Sequence, residues 1–130
     1  MKTPTANFCK AAGAILIVVA IWGFITGDHV LIFHVNTAHN IVHLVSGALA
    51  LVCGFAGERP ARVFSIAFGA VYGLVALLGF AGVAWVIELL HLNAADNWLH
   101  LGISVVFLAA GLVPGPLAKH GSMPPYGQPA

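Results

Sequence analysis

Long apolar runs alternate with short polar stretches along the chain, and this pattern predicts four membrane-spanning helices. The runs cover residues 11–26, 40–56, about 63–90 and about 97–113. Roughly 20 apolar residues are needed for a helix to cross a bilayer. The apolar residues are continuous rather than alternating, which favours helices over the strands of a membrane barrel. The third run exceeds one span, so we expect it to tilt or to bend near Gly79 and Gly82.

One polar phrase occurs twice. HVNTAHNIVHL occupies residues 34–44, and HLNAADNWLHL occupies residues 91–101, at a spacing of 57 positions. Each phrase stands between two apolar runs, so the chain is predicted to consist of two helical hairpins, about residues 10–56 and 63–113. Both hairpins start on the same side of the membrane. They are therefore parallel repeats related by a pseudo-twofold axis along the membrane normal, which gives an all-α transmembrane four-helix bundle.

The basic residues predict the orientation of the bundle. They precede the first helix, lie between the second and third, or follow the fourth, and they are Lys2, Lys10, Arg59, Arg62 and Lys119. All of them fall on one side, which the positive-inside rule makes cytoplasmic. We therefore expect a multi-pass protein of the inner (plasma) membrane, with both termini cytoplasmic and the repeated phrases outside.

The composition agrees with a membrane location and excludes several classes of function. The chain is 60% hydrophobic and 7% charged, whereas a soluble domain carries about 25% charged residues. A formal net charge of +1 gives no electrostatic basis for nucleic-acid binding. The expected partners are the lipid bilayer and other membrane-protein subunits. After a transmembrane domain at residues 1–113, the Pro/Gly-rich stretch 114–130 is predicted to be a mobile tail or a segment held by a partner subunit.

Part of the repeated phrase has a structural explanation. Asn36 and Asn93 are predicted to cap the second and fourth helices by accepting a backbone hydrogen bond, which stabilises a helix by about 1 kcal/mol. Asp96 follows Asn93 by three residues, as in a capping box, and an acidic residue in the first turn also suits the helix dipole.

The remaining polar residues of the phrase are the candidate site. Asn40 and His43 share one helical stripe, and Asn97 and His100 repeat that stripe on the fourth helix. Lipid offers no hydrogen-bond partner, so both stripes should face inward. One interpretation is an interhelical hydrogen-bond network that fixes register. The other makes His43 and His100 ligands of a haem, a pigment or a metal ion, although no third ligand accompanies them.

Four further histidines, His29, His34, His39 and His91, lie in or beside the predicted outer loops. They are expected to be solvated or interfacial side chains. The alternative is that they join His43 and His100 in one outer patch that responds to protons or metal ions.

The phrases HVNTAHNIVHL and HLNAADNWLHL resemble those of a bacterial family of small four-helix membrane proteins that is classed only as a domain of unknown function. Its members carry N-x-x-H-N-x-x-H-L and a later N-x-A-D-N-W-L-H-L. The resemblance covers roughly residues 10–114 and implies a four-helix integral membrane protein, but no activity.

The functional expectations follow from these features. No nucleophile–base–orienter set is apparent, so an enzyme is not expected, and no cofactor is predicted. A structural or accessory subunit that packs against a larger membrane complex is the first expectation. A haem-, pigment- or metal-binding protein that uses His43 and His100 is the alternative. A small transporter or proton-responsive channel would need polar residues that continue toward the cytoplasm, and few are present.

Overall fold

Within residues 3–113, four of the five helices are long and apolar enough to cross a membrane. A computed structural model describes residues 3–113. The helices are α1 (Pro4–Thr26), α2 (Thr37–Ala56), α3 (Glu58–Phe80), α4 (Ala84–Leu90) and α5 (Ala94–Leu112), and a hairpin of strands β1 (His29–Val30) and β2 (Phe33–His34) follows α1. The predicted four-helix bundle is confirmed. The predicted tail, residues 114–130, lies outside the described residues.

The third apolar run breaks where its glycines predict. α3 ends at Phe80, and Gly82 has a positive φ of 72° in the turn that leads to the short helix α4. The connection between α2 and α3 is shorter than expected, because Gly57 alone links them, with φ 125°. Arg59 and Arg62 therefore lie in the first two turns of α3, not in a loop.

The two hairpins pack in the same way. α1 packs along α2, and α3 packs along α5. In the first pair, Gly13 is so close to α2 that an added Cβ would lie 2.7 Å from the carbonyl oxygen of Gly47. In the second pair, Gly69 similarly faces Leu108. Close approach of backbones at small residues is the usual basis of helix packing in membranes, and its recurrence supports an internal repeat.

The end of the bundle that carries the basic residues is joined by side-chain hydrogen bonds. The Glu58 carboxylate accepts hydrogen bonds from the backbone N–H groups of Thr5 (3.2 Å) and Ala6 (3.0 Å) at the start of α1. The hydroxyl of Thr5 donates to the carbonyl oxygen of Ala110 near the end of α5, at 2.9 Å. The starts of α1 and α3 and the end of α5 therefore meet, and both repeated phrases lie at the opposite end.

Candidate functional site

The two repeated phrases contact each other through a symmetric pair of hydrogen bonds. Asn36 Nδ2 donates to the carbonyl oxygen of Leu89, and Asn93 Nδ2 donates to that of Ile32, both at 2.9 Å. Donors and acceptors are each 57 positions apart, so the bonds are equivalent under the repeat. The rings of His34 and His91 also meet, with centroids 5.3 Å apart. The phrases thus form one structure at one end of the bundle, as the repeat predicts.

Both asparagines also cap their helices, as predicted. The Asn36 side chain accepts from the backbone N–H of His39 at 2.9 Å, and Asn93 accepts from that of Asp96 at 2.8 Å. Asp96 completes a capping box by accepting from the Asn93 N–H, and its carboxylate also accepts from the N–H of His34. Asp96 is 1% exposed, so this carboxylate links the two phrases from a buried position.

Asn93→Ala is expected to lower the free energy of unfolding by about 2 kcal/mol, because it removes both a cap and a cross-repeat hydrogen bond. Asn93→Ser keeps a capping oxygen and removes only the amide donor to Ile32, so about 1 kcal/mol should be lost. Thermal unfolding in detergent measures both, with the exposed Asn7→Ala as the control. Equal losses for the two Asn93 variants would show that the cap contributes nothing.

Three histidines converge just inside this end of the bundle. His39 and His43 are one helical turn apart on α2, and His100 faces them from α5. The three side chains are 2%, 4% and 2% exposed. One ring nitrogen from each can be chosen so that all lie within 4.8 Å of one another. We call these three residues the histidine cluster.

Five of the six ring nitrogens of the histidine cluster lack hydrogen-bond partners among residues 3–113. Both ring nitrogens of His39 and of His43, and Nδ1 of His100, are buried without a partner. The hydroxyl of Tyr72 on α3 is also unpartnered, and its ring lies 5.3 Å from that of His100 between centroids. All four residues line a cavity of about 40 Å³. Buried polar groups are almost always satisfied in folded proteins, so this cavity is an exception that needs a physical reason.

Asn40 and Asn97 have different surroundings from His43 and His100, the two histidines with which they were predicted to form one site. Asn40 is buried against Gly23 of α1 and Asn97 against Gly79 of α3, and a Cβ added to either glycine would clash with the facing Oδ1 atom. These two oxygens have no hydrogen-bond partner within residues 3–113. The predicted inward direction of the four side chains is confirmed. The hydrogen-bond network proposed between them is not formed.

His39 is the member of the cluster that the sequence interpretation missed. The sequence predicts a solvated residue beside the outer loop, but His39 is buried in the first turn of α2. The available signal was the H-x-x-x-H spacing of His39 and His43, which places both rings on one helical face. Comparison of the two phrases does not reveal this spacing, because the residue equivalent to His39 in the second phrase is Asp96.

The other outer histidines remain at the surface. His29, His34 and His91 are exposed, so the hypothesis of a single patch of six histidines is wrong: three are exposed and three are buried. His29 contacts the neighbouring carboxylate of Asp28, and this hydrogen bond lowers the pKa of Asp28 below its ordinary value. Both groups are largely solvent-exposed, which makes this a local surface pair.

Fold and site together define a small helical membrane protein with a buried histidine cluster at one end of its bundle. The chain matches the family described as "Domain of unknown function (DUF4383)" over residues 7–113, and it belongs to that family. Comparisons with curated proteins and with solved structures gave no match.

Proposed function

We propose that this protein binds a divalent transition-metal ion, Zn²⁺ first among them, through His39, His43 and His100. The observation that carries the proposal is the convergence of three buried, unpartnered imidazoles within 4.8 Å of one another. Neutral imidazole is a preferred ligand of zinc, copper, iron and nickel. The proposal assigns a binding role and no reaction.

The geometry requires only small side-chain movements. Zinc binds imidazole nitrogens at about 2.0–2.1 Å, which places ligands of a tetrahedral site about 3.3 Å apart. The nitrogens of the cluster are separated by at most 4.8 Å, so modest rotations of the three rings would bring them into place. Three histidines leave the fourth position of a tetrahedral ion open for water. The unpartnered Tyr72 hydroxyl lines the same cavity and can bind such a water.

The unpartnered nitrogens also make metal binding energetically favourable. A buried polar group without a partner costs about 1–3 kcal/mol, and the cluster contains five such ring nitrogens. Lipid cannot supply the missing partners. A bound ion would take one nitrogen from each histidine as a ligand, so it would satisfy three of these groups together.

The size of the cavity favours an ion over a larger cofactor. About 40 Å³ can hold an ion with one or two water molecules, since a cavity measured in this way needs only about 10–15 Å³ to hold a water. A haem or a pigment ring is many times larger. The buried rings of His39 and Tyr72 occupy the space beside His43 and His100 where such a macrocycle would have to fit.

A negative charge next to the cluster favours a cation. Asp96 is buried and precedes His100 by one helical turn on α5, so its carboxylate would attract a positive ion held by the cluster. The carboxylate is held by the backbone N–H groups of Asn93 and His34 and is not free to become a ligand without breaking those bonds. Asp96 therefore acts at a distance in this proposal, as a compensating charge.

Metal titration of the purified protein tests the proposal. Co²⁺ should give the visible absorption bands of a four-coordinate site at one ion per chain, and Zn²⁺ should displace it. His39→Ala, His43→Ala and His100→Ala should each weaken binding at least about tenfold, whereas the exposed pair His34→Ala and His91→Ala should leave it unchanged. Binding that depends on His34 and His91 instead, or no stoichiometric binding at all, would refute the assignment.

The location of the site in the cell is part of the proposal. Lys10, Arg59 and Arg62 lie at the end opposite the cluster, and the positive-inside rule makes their end cytoplasmic. The histidine cluster then lies beneath the outer surface of the inner membrane. A metal ion would reach it from outside the cytoplasm, through the loops that carry His34 and His91.

A structural or accessory subunit is the second candidate function. The specific observation in its favour is that only short connections, residues 27–36, 57, 81–83 and 91–93, lie between the helices. Within residues 3–113 there is no room for a soluble domain, so a partner would have to pack against the helices. Purification from native membranes followed by mass spectrometry would identify a subunit of this kind.

A further inference from the structure

An apolar groove of about 480 Å³ lies between α1 and α5. The two helices hardly touch, whereas α2 and α3, their equivalents under the repeat, are held together by the one-residue link at Gly57. The absence of a side chain at Gly102 widens the groove, because a Cβ added there would meet nothing within 4 Å. The repeat is therefore broken at this one helix pair, and the groove faces the lipid.

His43 connects this groove to the histidine cluster. It lines both the groove and the small cavity, and it is the only residue common to the two linings within residues 3–113. Its side chain is 4% exposed, and neither ring nitrogen has a partner. If a metal ion is bound as proposed above, it takes one of these nitrogens. The other still needs a hydrogen-bond acceptor. Both nitrogens are buried in the unliganded protein, so the His43 ring would have to rotate toward the groove for an acceptor bound there to reach one of them.

We propose that the groove binds a membrane-soluble carbonyl compound of the quinone class, whose ring carbonyl accepts a hydrogen bond from His43. This proposal rests on the proposed metal function in one respect only, namely that a metal ion binds one of the two His43 nitrogens. The groove and the second nitrogen are independent of it. The walls offer aromatic surfaces at Trp98 and Phe107 and aliphatic ones at Leu16 and Val19, against which a flat ring with an apolar tail can pack.

The depth of His43 in the bilayer favours a quinone over a phospholipid as the molecule bound in the groove. His43 follows the cap residue Asn36 by seven positions, or about 10 Å along a helix axis. With Asn36 placed at the level of the headgroups, His43 lies below the polar region of the bilayer, which is roughly 5–8 Å thick on each side. A carbonyl at that depth must belong to a molecule that itself dissolves in the hydrocarbon layer. The volume also lies within the usual 300–1,000 Å³ of a small-molecule site.

Fluorescence of Trp98 tests the proposal directly. In the background Trp22→Phe with Trp85→Phe, Trp98 is the only remaining tryptophan, and quinones quench indole fluorescence on contact. A benzoquinone with a decyl chain, added to the protein in detergent, should quench Trp98 saturably. Gly102→Leu, which fills the groove, should weaken binding at least about tenfold. Ala109→Leu, on an exposed face of the same helix and outside the groove, should leave it unchanged.

Two further variants distinguish quinone binding from the proposed metal binding. His43→Phe should weaken quinone binding, because it removes the donor and keeps a ring of similar size. His39→Ala should abolish metal binding and spare the quinone, so failure of one proposal does not imply failure of the other. Quenching that rises linearly without saturation, or that Gly102→Leu does not alter, would overturn the quinone site. Equal displacement by an added phospholipid would also overturn it and would identify an acyl chain as the occupant.

Discussion

Gly47→Leu is expected to lower the free energy of unfolding by about 3 kcal/mol, because it forces α1 and α2 apart. A Cβ added at Gly47 would lie 2.8 Å from the carbonyl oxygen of Gly13 and 2.8 Å from a side-chain carbon of Ile17. The first of these atoms belongs to a helix backbone, which cannot rotate away as a side chain can. Relief therefore requires a movement of the whole helix and the loss of packing along its length.

Gly102→Leu is the matched control for this prediction. The substitution is the same and the residue is again in the middle of a helix, but a Cβ at Gly102 meets nothing within 4 Å. Since glycine costs about 1 kcal/mol in a helix relative to a good helix former, this variant should be as stable as the parent or slightly more stable. Thermal unfolding in detergent compares the two. Similar stabilities for both variants would mean that α1 and α2 are not packed as closely as described.

The architecture could be predicted from the sequence because the bilayer leaves few alternatives. Continuous apolar runs must form helices in lipid, and the repeated phrase places equivalent residues at equivalent positions in two hairpins. The asparagine caps were predictable for a similar reason, since an orphan N–H at a helix start needs an acceptor. The bend before α4 followed from Gly79 and Gly82. These features depend on local chemistry alone.

The candidate site could be predicted only in part, because it depends on how the repeat departs from symmetry. His43 and His100 were found as matched residues. His39 was missed because its counterpart in the second phrase is Asp96, although the predicted cap at Asn36 already placed His39 in the first turn of the second helix. The separation of Asn40 from the histidines depends on contacts with Gly23, which only the packing of α1 against α2 reveals. Symmetry in the sequence therefore identified the fold better than the site.

The effect of His39→Leu on the free energy of unfolding is expected to change sign when zinc is added. Without metal, the variant should be at least as stable as the parent, because leucine fills a similar volume and removes two buried nitrogens that lack partners. With free Zn²⁺ at about one hundred times its Kd, the parent gains about 2.7 kcal/mol by mass action, and the variant gains nothing. The order of stability then inverts.

This inversion distinguishes a ligand site from a structural network. Residues kept for binding commonly reduce the stability of the unliganded protein, whereas residues kept for packing do not. The exposed His29→Leu is the control and should respond to zinc as the parent does. Unfolding in the presence of a chelator and then of zinc measures both conditions on the same sample. If His39→Leu is several kcal/mol less stable than the parent under chelator, the buried imidazoles support the helices themselves, and the metal assignment loses its energetic basis.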